Sequence, residues 1–328
     1  MNLRFLVVLI GIILLLLILY FAGIDKVIQT ILHSNVNFIL LAFGFFIAKT
    51  LLKCFRWQIF LKSIGQKVPF SHAFYSFNAA MFLSNLVPFK GLEIIRGYFL
   101  KIKFNYSFSK TIPLVLTERV FDVFIYIFFS LITLRAIKNF IPSYITFLSF
   151  FSMLAFFLIS LAVLLILNSK RLTLKLFKLI SILPIINRFG GKFESVAKKF
   201  SIGFNQLKKS KILICILLLS SVIWIFEGMI FLFSAKAVGI NLSYELFAIP
   251  LISILLGVLT LIPGGLGSTE AIMVLFLMSL GFPAAQATSA VLIYRLFVTL
   301  LQNAIGAVII PEVYGIDIFR KIIKGKIF

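Results

Sequence analysis

Long apolar blocks dominate the chain and fix how it is read. Six stretches, at about 3–23, 36–60, 112–134, 143–167, 212–235 and 285–310, meet the ~20 apolar residues that a helix needs to cross the hydrocarbon of a bilayer. The blocks lack the period-2 alternation of a porin-type barrel, so the pattern predicts helices. Between them lie shorter apolar pieces at 70–87, 92–100, 246–262 and 268–281. At about 1.5 Å per residue the last two reach only ~25 and ~21 Å, against a hydrocarbon core of about 30 Å. They read as broken helices that enter the membrane and return. The predicted fold class is an all-α integral membrane protein, with six transmembrane helices plus two re-entrant broken-helix hairpins, forming one membrane domain over residues 1–328.

Composition agrees, because 62% of positions are hydrophobic and only 13% charged, more apolar surface than a soluble fold of this size can hide. The net charge of +22 does not point to nucleic acid. Its basic residues sit in the loops between apolar blocks, where they orient a membrane protein and meet anionic inner-leaflet lipids. With the N-terminus inside and 70–100 treated as a hairpin, 25 of the 32 lysines and arginines fall on the inner side. Lys26, Arg135, Lys138 and Lys236 fall outside, and Lys49, Arg119 and Arg295 remain within the membrane. Making 70–87 a full span would send Lys90, Arg96, Lys101, Lys103 and Lys110 outside, against the positive-inside rule. Both termini are thus expected in the cytoplasm. The first apolar block is too long for the h-region of a signal peptide and no small-residue cleavage site follows it, so it reads as a retained span. Cys54 and Cys215 suggest neither a disulfide framework nor a metal site, and no cofactor is expected.

A faint internal repeat relates the two halves. Gly65, Val68 and Phe70 match Gly239, Leu242 and Tyr244 at an offset of 174, and Pro88 matches Pro263 at 175. Gly91 and Arg119 match Gly267 and Arg295 at 176. Repeat one covers about 36–135 and repeat two about 212–310, each running span, hairpin, then a span that carries an arginine. In the charge-derived topology the two hairpins approach from opposite sides, as in the inverted repeats of transporters. The connector at about 168–211 is basic and amphipathic, with Phe193, Ala197, Phe200, Phe204 and Leu207 near one helical face. It reads either as surface helices on the inner leaflet or as a solvated linker.

Polar groups at membrane depth carry the functional information, since each costs about 2.5–3.5 kcal/mol near a helix centre unless paired. They are Lys49, Glu118, Arg119, Asp122, Glu227, Glu270 and Arg295. Glu118 and Asp122 share a helix face, and Arg119 can pair with Asp122 three residues on. Two breaks, Pro88-Phe89-Lys90-Gly91 and Pro263-Gly264-Gly265-Leu266-Gly267, let the backbone turn and open a helix N-terminus toward an anion. Lys90 and Arg96 add charge at the first, and Ser268 or Thr269 is expected to cap the helix after the second. Arg119 and Arg295 are then expected to line one phosphate-binding cavity. The alternative is that each pairs with Glu118, Asp122 or Glu270 and merely locks helices together.

These residues resemble a known family. Arg56-Trp57, Pro88…Gly91…Glu93…Arg96, Glu118-Arg119…Asp122, Pro263-Gly264-Gly265…Gly267…Glu270 and Tyr294-Arg295-Leu296 look like the lysylphosphatidylglycerol synthase/flippase transmembrane family, over nearly the whole chain. The first break departs from the family pattern in its Phe89-Lys90. In the two-domain resistance factors of that family, such a membrane region precedes a cytosolic aminoacyl-tRNA-using synthase and is held to flip the modified lipid. No such segment lies between the last span and Phe328, so aminoacylation is not expected here. The resemblance implies a flippase-like protein handling a phospholipid or polyprenyl-phosphate-type lipid. Two rival readings stay open: a membrane-embedded enzyme on a lipid-linked substrate, and a non-transporting partner of a separate synthase or glycosyltransferase. Against the enzyme, the chain offers no Asp-x-Asp site, and neither His33 nor His72 has an aspartate four or five residues on. A homo-oligomer is compatible with either.

Overall fold

The computed structural model describes residues 3–85, 93–169, 171–172, 210–241, 247–260, 262 and 265–317. Among the described residues the protein is all helix. Lys90, Gly91 and Gly264, and nearly all of the connector at 168–211, lie outside them.

The first span, α1 (Leu3–Ala22), ends at Gly23, whose φ of 79° turns the chain into a second helix, α2 (Ile24–Leu32). The two axes meet at 80°. The sequence reading leaves 24–32 as an outer loop, and the structure makes it a helix. Its signal is Ile24, Val27, Ile28 and Ile31 at helical spacing, with Val27 buried and its carbonyl accepting from Ser289.

Each half then repeats one order of elements: a long helix, two short ones, a long one. In the first half these are α3 (Val36–Ser63), α4 (Phe70–Asn85), α5 (Arg96–Phe104) and α6 (Phe108–Ile137). A further long helix, α7 (Ser143–Asn168), packs on α6. The second half has α8 (Ser210–Ala237), α9 (Ile249–Val258), α10 (Ser268–Ser279) and α11 (Ala284–Arg295). From Arg295 the last span continues through a π turn (Leu296–Leu301), α12 (Gln302–Ile309) and a second π turn (Ile310–Tyr314). Five long apolar spans result, and the bent pair of α1 and α2 would make a sixth. The four short helices, of 16, 9, 10 and 12 residues, are each too short for a hydrocarbon core of about 30 Å.

Packing partners are reciprocal between the halves. The two leading helices, α3 and α8, lie against each other; α4 packs on α12 of the opposite half, and α9 packs on α6. The amide of Asn35 donates to the carbonyl of Ala237, Lys49 meets Glu227, and Arg56 meets Ser220. Rising numbers on α3 thus face falling numbers on α8, so the two leading helices run in opposite directions, as an inverted repeat requires. Apolar burial drives little helix association inside lipid, which leaves close packing and polar contacts to hold the helices together. Phe45 stacks on Phe233 and meets Phe226 edge-on along the α3–α8 seam. Gly306 of α12 lies so close to the Asn78 carbonyl of α4 that no methyl group fits. Beside that contact, Gln302 donates to Asn78 at 2.6 Å and Asn85 to Asn303 at 2.7 Å.

Candidate functional site

Three arginines and three carboxylates gather in the first half. Glu118 and Asp122 stand one turn apart on the same face of α6, as their spacing predicts, and Arg56 of α3 holds both. Its guanidinium is fully buried and reaches Glu118 at 2.6 Å and the two Asp122 oxygens at 2.6 and 3.3 Å. The same guanidinium also donates to Ser220 of α8, while Trp224, one turn on, donates to Asp122 at 2.7 Å. Arg56 therefore joins three helices at one point. Arg96, at the start of α5, takes the other Glu118 oxygen at 2.8 Å and lies over the Trp57 ring at 4.5 Å. Arg119 meets Glu93 in the 3₁₀ turn at 93–95, and Asp122 at 3.5 Å. Removing ions from water costs several kcal/mol each, so they persist here because three positive and three negative groups cancel.

The second half carries a smaller version. Arg295, at the end of α11, reaches Glu270 in the first turn of α10 at 2.6 Å and the Gly265 carbonyl at 3.5 Å. Glu93 stands 26 residues before Arg119 and Glu270 stands 25 before Arg295. Each half thus sets a carboxylate, at the approach to its second short helix, against the arginine of its last long one. A third group joins the halves: Lys49 of α3 and Glu227 of α8 are 3.0 Å apart, and the Tyr294 hydroxyl donates to Glu227 at 2.6 Å.

The backbone around the second break fixes Glu270. Gly265 and Gly267 have φ of 65° and 78°, open to glycine and strained for other residues. A side chain at Gly267 would run into the Gly11 carbonyl of α1. The expected cap by Ser268 or Thr269 is corrected: Gly267 is the N-cap and no side chain caps α10. Ser268 is drawn off by Thr260 at 3.0 Å and by the Gly265 carbonyl at 3.3 Å. Glu270 itself supplies the negative charge at this positive helix end.

Of the sequence-predicted residues, Arg96, Glu118, Arg119 and Asp122 come together in one cluster, while Glu270, Arg295 and Gly265 come together in another. Glu227 belongs to the bridge between the halves. Arg119 and Arg295 each take a carboxylate of their own half, the pairing weighed against a shared cavity. Arg56 and Arg96 need correcting as inner-loop charges: both are buried ion-pair partners at 0% and 1% exposure. Glu93 entered the reading only through the family motif. Its position one turn before Arg96 was the available signal.

The arginines also differ in access. Arg119 keeps 31% of its side chain uncovered and Arg295 14%, whereas their carboxylates Glu93 and Glu270 are 4% and 5% exposed. In both pairs the arginine is the more exposed member.

Comparison with known proteins adds the family. The model of the family described as "Lysylphosphatidylglycerol synthase TM region" matches residues 4–306. A UPF0104 membrane protein of Pyrococcus horikoshii is 24% identical over 322 residues, covering 94% of this chain and 96% of its own length. One from Methanocaldococcus jannaschii is 26% identical over 304 residues, 88% of each chain. A second protein of that organism, also a UPF0104 membrane protein, is 31% identical over 218 residues, 66% of this chain and 87% of its own.

Proposed function

We start from the fact that this chain belongs to the lysylphosphatidylglycerol synthase TM-region family, and we propose that it is a lipid translocase-like protein for a phosphate-containing headgroup. The observation that carries this reading is the repeated pair, Glu93–Arg119 and Glu270–Arg295, in which each arginine is partly open. A planar guanidinium binds phosphate through two parallel hydrogen bonds and stays charged where water is scarce. Charged groups at membrane depth mark pathways for polar cargo. Two such groups in halves that run oppositely suit a headgroup handed from one leaflet to the other.

The chain would lie in the cell membrane with both termini cytoplasmic and its basic loops on the anionic inner leaflet. The cargo class is a phospholipid or a polyprenyl-phosphate-type lipid, delivered by or to a separate synthase or glycosyltransferase. The test is reconstitution of purified protein into vesicles with fluorescent lipids, whose exposure to an outside quencher reports transbilayer movement. Movement that Arg119→Lys and Arg295→Lys each lower by about tenfold or more, the loss of one charge-assisted hydrogen bond, is the expected result. Chemical conversion of the lipid would instead establish the enzyme reading. Neither movement nor conversion would leave the partner reading in possession.

A further inference from the structure

Resting on the lipid reading, we infer that Glu93 and Glu270 are built-in competitors: each occupies its arginine until a phosphate displaces it, and so sets the affinity of the site. Three observations carry this. First, the two pairs stand at corresponding places in the halves, although the charged groups around them differ. Second, each arginine is the more exposed member of its pair, so its side chain is easier for an incoming anion to reach than the carboxylate. Third, both carboxylates are only partly satisfied. Neither Glu93 oxygen has a hydrogen bond of good geometry, and one Glu270 oxygen is buried with no hydrogen-bond partner.

The two competitors are unequal. When a phosphate takes Arg119, Glu93 has a second arginine to move to, because Arg96 is 3.8 Å away. Glu270 has no such refuge: among the described residues only Arg295 lies within ion-pair distance. Displacing Glu270 therefore costs more and holds the second site shut more firmly. The carboxylate that returns to its arginine also expels the phosphate, which a site built only to bind would lack. Neutralising either carboxylate should then tighten binding while slowing turnover.

The experiment measures equilibrium binding of dioleoylphosphatidylglycerol and of dioleoylglycerol, which lacks the phosphate, to detergent-solubilised full-length protein. Glu270→Gln should bind the phosphate lipid at least about tenfold more tightly than the parent, the size of one charge-assisted hydrogen bond, and Glu93→Gln by a smaller factor. Affinity for dioleoylglycerol should not change. Thermal unfolding identifies the folded variants. If Glu270→Gln does not fold, Glu270→Asp, which keeps the charge but withdraws it by one methylene, must also tighten binding. Inorganic phosphate that competes with the lipid in the variants marks a site for phosphate itself, and failure to compete marks one that needs the lipid; both support competition by the carboxylate. Variants that bind no more tightly than a parent preferring the phosphate lipid overturn this inference and leave the translocase reading standing. A parent and variants with no preference for the phosphate lipid overturn both.

Discussion

The halves share an order of elements and a glutamate–arginine pair, yet they hold that pair in different ways. In the first half Arg119 belongs to a network of six charges centred on the buried Arg56. At the repeat offset of 174, Arg56 corresponds to Ile230, an apolar residue buried among its neighbours. Offset 176 takes Glu118 to Tyr294 and Asp122 to Val298. Among the described residues the second half therefore lacks the network, and positions Glu270 through glycine geometry and contact with α1. What persists in both halves is the pair with its partly exposed arginine, and this separates a shared element from the differing support around it.

That division predicts where damage will be greatest. Arg56→Leu leaves Glu118 and Asp122 without their main counter-ion and should destabilise the protein by about 3–5 kcal/mol. Arg295→Leu should cost clearly less, because the group it abandons is one carboxylate beside a partly open site. Thermal unfolding in micelles compares them, and equal losses would end the distinction between network and pair. Gly267→Ala should cost about 1–3 kcal/mol by the same assay, from a strained positive φ and the collision with α1. A neutral result would mean that backbone geometry does not hold the second half. Tyr294→Phe removes one donor from Glu227 while Lys49 remains, and should cost about 1.5 kcal/mol. A loss as large as that of Arg56→Leu would make the bridge, rather than the first-half cluster, the main support. The smallest perturbation tests direction alone: Lys103→Cys, with Cys215 replaced by Ser, should react with an impermeant maleimide only from the cytoplasmic side. Labelling from outside would remove the opposite approach of the two hairpins.

Much of this was legible because lipid imposes simple rules. Apolar length gave the five long spans and the first one, and the four-residue spacing of Glu118 and Asp122 placed them on one face. The partners of those carboxylates were hidden. Arg56 lies near the end of a span and Arg96 follows a break, positions where an arginine ordinarily reaches headgroups. Only tertiary packing turns both inward. The short α2 was missed because nine amphipathic residues register as a loop when spans are sought by length. The capping of α10 was misjudged because Ser268 has nearer acceptors and donors than the helix amides it was expected to serve.

The π turn at Leu296–Leu301 gives the last span two phases. On a straight α-helix, Arg295 and Gln302 would be seven residues apart and only about 20° out of register, looking toward one neighbour. A π turn carries an extra residue, and that advances the helix behind it by about 100°. The same rod can then aim Arg295 at Glu270 in its own half and Gln302 at Asn78 in the other. Were Leu296–Leu301 to wind as regular α-helix at unchanged length, the two side chains would fall back within about 20° of each other, and the span could satisfy one half or the other but not both.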